Sequence, residues 1–265
     1  MAESIGIEIG TDEQGDEYSL DLTGAPHILV GGTTGSGKTT LLHRIICSLI
    51  KDYDPKNIQL YIGDPKQVDF AKYKRAPHTQ AVATSAVDID VMLVELVAEM
   101  ERRFSLMREC IDKDGLQLDS VIGSYAYNSE GEEVPFPNII VIVDEYGNLI
   151  FDDFVGQAIS GNIIRLASKG RAAGINIILT TQHPTIKVVN EQIKANCPLR
   201  IAMKVLSKVN SRVILDENGA EKLAGAGQMY ASSHSRIDGK VKRLIKIQCK
   251  NITKKAIEEQ LKMFD

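Results

Sequence analysis

Apolar positions along this chain follow two rhythms. Ile5, Ile7 and Ile9 alternate with other residues, a polar stretch runs from Thr11 to Asp16, and Tyr18, Leu20 and Leu22 alternate again. That period of two predicts a β-hairpin within residues 1–24, capping the edge of a domain. Leu41, Leu42, Ile45, Ile46 and Leu49 instead recur at three- and four-residue spacings, as one face of a helix does, and Leu93, Val97, Met100, Phe104 and Met107 extend an apolar stripe along a long helix over 87–111. Short strands are expected at 27–30 and 60–63, and the run at 139–143 is fully apolar and β-branched, the character of a strand buried on both sides of a parallel sheet, which 175–179 largely repeats. Pro65 stops the second of these.

The same reading predicts a short strand at 81–83, a weaker helix at 120–127, a polar loop at 128–138, and helices near 156–172 and 188–195. It continues with a strand at 199–203, short helices at 207–215 and 220–224, an edge hairpin of 228–231 with 241–248, and a closing helix from Thr253. Strands alternating with helices make an α/β domain whose mostly parallel sheet is flanked by helices. Neither an internal repeat nor a long linker divides the chain. The expected organisation is a single domain over 1–265, with the hairpin at 1–24, the core at 25–250 and the C-terminal helix at 251–265.

Composition narrows the classes. At 265 residues, 43% hydrophobic and 25% charged, the chain is an ordinary globular protein long enough for one large core. No apolar run approaches the roughly 20 residues that cross a bilayer, so a cytosolic chain is expected. The four cysteines lack any C-x-x-C spacing, which argues for buried free thiols over a zinc site or a disulfide framework. A net charge of −4 speaks against coating nucleic acid by bulk positive charge but leaves room for a local basic surface.

The candidate chemistry starts where the 27–30 run breaks into glycine. Gly32, Gly37, Lys38 and Thr39 satisfy G-x-x-x-x-G-K-[ST] between a strand and a helix, the context a phosphate-binding loop requires. Without Cβ atoms at Gly31, Gly32, Gly35 and Gly37 the backbone can curl and aim successive N–H groups at an anion, and the helix N-terminus adds partial positive charge. Thr33, Thr34, Gly35, Ser36, Gly37, Lys38, Thr39 and Thr40 are therefore the expected nucleotide contacts. Lys38 would reach the β- and γ-phosphates of ATP and the Thr39 hydroxyl would ligate Mg2+. Asp144 and Glu145 directly follow the apolar run 139–143: Asp144 is expected in the Mg2+ shell and Glu145 as the base that polarises water. Gln182, at the end of the next strand, is expected to sense the γ-phosphate.

Beyond these motifs, the chain resembles the motor domain of the FtsK/SpoIIIE family of double-stranded DNA translocases. Carrying the resemblance are the blocks from Ala25 to Thr39, Asp64-Pro-Lys66, Glu99 to Phe104, Val141 to Glu145, Gly170 to Gly174, Thr181 to Pro184, Ile193 to Asn196, Ser211 to Asp216 and Gly219 to Leu223. The resemblance implies a RecA-like P-loop core assembled as a hexameric ring around double-stranded DNA. It also implies that an arginine from a neighbouring subunit completes each ATP site, with Arg165, Arg171 and Arg212 as candidates. Lysine and arginine clusters at Lys72, Lys74, Arg75 and at Lys187, Lys194, Arg200, Lys204, Lys208 would line the pore and contact phosphates without reading sequence. The chain departs from the family at Gln228, Tyr146 and His183, where aspartate, phenylalanine and arginine are common. Related motor domains in type VII secretion engage proteins, so a secretion ATPase is the second expectation and a nucleotide-switched assembly module the third.

Overall fold

The computed structural model describes residues 5–114, 125–127, 133–233 and 244–264. Its frame is a ten-stranded sheet in which six parallel strands continue into four antiparallel ones. In chain order the elements are β1 (Gly6–Asp12), β2 (Glu17–Asp21), β3 (His27–Gly31), α1 (Lys38–Asp52), β4 (Ile58–Gly63), β5 (Thr79–Ala83), α2 (Ala86–Asp114), β6 (Tyr125–Tyr127) and β7 (Glu133–Pro135). They continue with β8 (Asn138–Val143), α3 (Tyr146–Leu149), α4 (Gly156–Lys169), β9 (Ile175–Thr181), α5 (Glu191–Asn196), β10 (Leu199–Met203), α6 (Lys208–Leu215), β11 (Gln228–Ser233), β12 (Ile245–Cys249) and α7 (Lys254–Leu261).

The order across the sheet is β2-β1-β12-β11-β10-β3-β9-β8-β4-β5, so β9 lies between β3 and β8. Each β-branched run splits its side chains between two cores. Ile28, Val30, Ile140, Ile142 and Ile178 pack beneath α1 and α7, while Leu29, Ile139, Val141, Val143, Ile177 and Leu179 pack beneath α2, α4 and α6. Burial on both faces is why those runs carry no polar alternation. Helix starts follow local capping: Ser85 accepts from the Asp88 N–H at 3.0 Å, Asn190 from Ile193 at 2.9 Å, Ser207 from Asn210 at 3.2 Å and Thr253 from Ala256 at 3.1 Å.

Three expectations change. The pair β11–β12 is interior to the sheet, because β12 also pairs with β1 (Gly10 opposite Cys249), and the edge belongs to β2 of the N-terminal hairpin. Tyr125–Tyr127 is a strand paired with Glu133–Pro135, where a helix end and a loop were expected; residues 115–124 and 128–132 of that stretch lie outside the described residues, as do 241–243 of the β12 expectation. The helix expected at 188–195 starts only at Glu191, after the Asn190 cap. No helix among the described residues is long and apolar enough to cross a membrane.

Candidate nucleotide site

At the end of β3 the backbone leaves the sheet and is pinned from both sides. The Gly32 N–H donates to Thr181 O at 3.1 Å, the Thr33 N–H to Lys204 O at 2.8 Å, and the Gly227 N–H to Ser36 O at 3.0 Å. Gly37 sits at φ 112°, and a Cβ there would meet the Gly227 nitrogen at 2.9 Å, so both conformation and space demand glycine. No side chain caps α1 and no acidic residue stands in its first turn, which leaves its leading N–H groups directed into the loop. Thr33, Thr34, Gly35, Ser36, Thr39 and Thr40 line or flank that loop, with Ser36 buried and Thr34 and Gly35 exposed.

Lys38 is 6% exposed and folds its ammonium onto the loop, donating to the carbonyls of Gly32 and Thr33. Burial pushes its pKa down to about 8, against the opposing pull of Glu145 and Asp144, so it stays mostly charged at pH 7. The carboxylates are at the end of β8, two strands across from β3. Asp144 is anchored by its own N–H to Gly63 O at 2.9 Å. Glu145 adopts a left-handed φ of 51°, a conformation costly to a residue with a Cβ and held here by its contacts.

Thr180, on the intervening β9, ties the pair together: its hydroxyl accepts the Glu145 N–H at 3.1 Å and donates to Asp144 Oδ1 at 2.5 Å. Glu145 Oε1 accepts the Gln182 N–H at 2.9 Å, and the Gln182 side chain accepts from the Thr34 hydroxyl at 2.6 Å. Thr34, Gln182, Glu145, Thr180 and Asp144 thus form one hydrogen-bonded line from the loop to the carboxylates. Among the described residues, buried Asp144 Oδ2 accepts no hydrogen bond, and its nearest cation, Lys66 Nζ, stands 3.7 Å away. An orphaned buried carboxylate oxygen opposite a lysine-bearing loop fits a divalent ion with its nucleotide. No group of three or more His, Cys, Asp or Glu side chains able to hold a metal occurs among the described residues.

The arginine candidates lie elsewhere. Arg165, on α4, is exposed and pairs with Glu101 at 3.7 Å. Arg171 is exposed near His27 at the opposite end of β3, and Arg212 is exposed on α6. Among the described residues no arginine bonds Lys38, Asp144 or Glu145. The second basic cluster divides. Lys187, Lys204 and Lys208 are exposed, but Lys194 and Arg200 are both paired with Asp216, and Arg200 is only 4% exposed, which removes it from a phosphate-contacting surface. In the first cluster Lys74 is exposed while Arg75 pairs with Glu258 at 3.1 Å.

Of the departures from the family pattern, Tyr146 is fully buried with its hydroxyl 3.4 Å from Ser160, His183 is exposed beside Gln182, and Gln228 accepts the Ala224 N–H at 3.1 Å. Sequence reasoning gave no role to Lys66 or Thr180. The Asp64-Pro-Lys66 block marked the first as notable, but nothing in a one-dimensional pattern reveals which side chains it meets.

The sequence profile of the FtsK/SpoIIIE family matches residues 2–186, more than half of the chain. The DNA translocase FtsK of Streptococcus pneumoniae is 38% identical over 224 residues, covering 84% of this chain and 29% of that protein. That of Chlamydia trachomatis is 39% identical over 235 residues, covering 86% and 29%. The chain therefore spans less than a third of the length of these relatives. Among solved structures, the pCW3 conjugation coupling protein TcpA with ATPγS superposes with a TM-score of 0.78 at 27% identity, covering 98% of this chain and 70% of that one. The cytoplasmic domain of the Thermomonospora curvata type VII secretion ATPase EccC superposes at 0.80 but at 21% identity, a likeness of fold. With the loop, the carboxylate pair and the strand between them all in this frame, the chain belongs to the FtsK/SpoIIIE family and has the fold of a P-loop ATPase.

Proposed function

We propose that this domain hydrolyses Mg2+·ATP to drive movement along double-stranded DNA, as one subunit of a ring. The observation that carries the hydrolytic half is the line of hydrogen bonds from Thr34 through Gln182 to Glu145: it connects the loop that meets phosphate to the carboxylate that would take a proton from water. In this reading the loop N–H groups and Lys38 would hold the phosphates and Thr39 with Asp144 would hold the metal, which would supply charge to offset that developing on the transferred phosphoryl group. Glu145 orients and deprotonates the attacking water, while Gln182 couples the state of the nucleotide to the segment that follows it.

The DNA half rests on similarity to proteins named DNA translocases, supported by exposed Lys187 and Lys204 on the loops beyond β9 and β10 and Lys208 at the start of α6. No arginine among the described residues meets the site, and in this reading a neighbouring copy would supply one, from Arg171 or Arg212 in preference to Arg165, which Glu101 already engages. The test is steady-state ATP hydrolysis with and without linear double-stranded DNA over a salt series, beside Glu145→Gln. Stimulation that fades as salt rises is the expected result. Hydrolysis indifferent to DNA in a preparation that assembles into rings would overturn the DNA half, and undiminished turnover in Glu145→Gln would remove Glu145 from the role of base.

A further inference from the structure

We propose that Lys66 is an internal counter-cation for the carboxylate pair, standing on Asp144 where the metal is to bind and restraining Glu145 until metal and nucleotide arrive. The inference rests on the nucleotide-hydrolysing reading of this site. Asp144 and Glu145 are consecutive, and their side chains are 3% and 1% exposed. Two adjacent buried carboxylates repel each other and lose hydration, so a nearby positive charge is needed while no metal is present. Lys38 is close, but its hydrogen bonds go to the carbonyls of Gly32 and Thr33. Among the described residues, Lys66 is the cation that meets the carboxylates themselves, at 3.7 Å from Asp144 Oδ2 and 3.4 Å from Glu145 Oε2.

The segment carrying Lys66 is pinned by hydrogen bonds, and its side chain is part-exposed. Asp64, fully buried at the end of β4, accepts the N–H groups of Asp69 at 3.2 Å and Phe70 at 3.1 Å. Gln67 closes the turn in a left-handed conformation, donating its N–H to Asp64 O at 3.0 Å and its side-chain amide to Thr84 O at 3.2 Å. From that frame the lysine reaches over the site with its side chain 38% exposed. It lies beyond hydrogen-bond length of Asp144, so it neutralises Oδ2 without saturating it. A divalent cation on Oδ2 repels the ammonium, and its withdrawal leaves Glu145 held by the Gln182 N–H on Oε1 and free on Oε2. Metal arrival and release of the base carboxylate become one event.

Mn2+ binding to the nucleotide-free chain, read from the electron paramagnetic resonance signal of the free ion, separates this role from a static ion pair. Lys66→Gln is expected to bind Mn2+ about 5–10-fold more tightly than the unsubstituted chain, because a competing charge within about 4 Å has gone. Lys66→Arg should restore the original affinity, and Asp144→Asn should abolish binding. Equal or weaker binding in Lys66→Gln, an arginine variant that behaves like glutamine, or retained binding in Asp144→Asn each overturns the proposal. Should the glutamine variant fail to give a cooperative melt, Lys66→Met is read in the same way. ATPγS binding measured on the same samples keeps the two readings apart: an unsubstituted chain that takes no ATPγS sinks the nucleotide reading, whereas ATPγS binding with Mn2+ affinity indifferent to Lys66 sinks only this inference.

Discussion

At the amino-terminal end of the parallel sheet Arg103 is 1% exposed, yet it donates to Pro137 O at 2.9 Å, to Ala173 O at 2.8 Å and to Glu99 at 2.8 Å. Asn176, 3% exposed, likewise spends its amide on Leu22 O and Pro26 O. At the carboxy-terminal end the buried polar groups include Lys38, Asp64, Asp144, Glu145 and Thr180, and there, among the described residues, Asp64 Oδ1 and Asp144 Oδ2 find no donor. At the first end the unpartnered buried atoms among the described residues are His27 Nε2, His78 Nδ1, Arg200 Nε and the Thr79 hydroxyl, none of them a carboxylate oxygen. The same fold thus uses buried polar residues to tie loops under one end and leaves acceptor capacity open at the other, as expected where open sheets take ligands.

The sharpest way to break that contrast is at the open end. Lys38→Ala should abolish nucleotide-dependent activity, and Glu145→Gln should lower hydrolysis by about 10²–10⁴-fold while ATP binding persists. Glu145→Gln should cost little folding stability, since it relieves the repulsion between two buried carboxylates, whereas Lys38→Ala strands the Gly32 and Thr33 carbonyls and should cost about 1–3 kcal/mol beside its loss of activity; equilibrium urea unfolding beside turnover checks both. Arg103→Met, at the closed end, should do the reverse. It strands two carbonyls and Glu99, and should destabilise the chain by about 2–4 kcal/mol while leaving ATP affinity per folded molecule unchanged.

Acid sharpens the contrast next. His27 and His43 are buried, and burial pulls both pKa values down to about 4. Their neutral forms are preferred in the folded state, so their contribution is complete above the unfolded value of 6.5 and is lost as pH falls from there towards 4. At pH 5 each should cost about 2 kcal/mol relative to pH 7. His43→Gln should flatten that dependence in thermal melts at the two pH values, keeping a partner for the Tyr73 hydroxyl that now meets His43 Nδ1 at 2.8 Å.

What the sequence discloses follows the same division. The glycine loop and the carboxylates after β8 are legible because a phosphate cradle demands particular residues at fixed local spacing. Strand order is not local: no residue of β9 announces that it lies between β3 and β8, and no residue of β12 announces that β1 closes against it. The Lys194 and Arg200 charges read as a pore cluster because Asp216, which neutralises both, stands 16 positions from Arg200. Tyr125–Tyr127 misleads for a related reason, since three residues carry too little periodicity to outweigh pairing with Glu133–Pro135.

The smallest effect tests whether the open end works as a connected unit. The Thr34 hydroxyl donates to Gln182 Oε1 at 2.6 Å, and the Gln182 N–H holds Glu145. Thr34 is exposed, so water replaces much of what Thr34→Val removes, and the net loss should be under about 1 kcal/mol, or roughly 2–3-fold in kcat with KM nearly unchanged. In a Gln182→Leu background the same substitution should add almost nothing, because the partner is already gone while the backbone N–H to Glu145 remains. A Thr34→Val penalty that survives in full in that background would mean that Thr34 acts on the nucleotide directly, and the line from phosphate loop to carboxylate would then begin at Gln182.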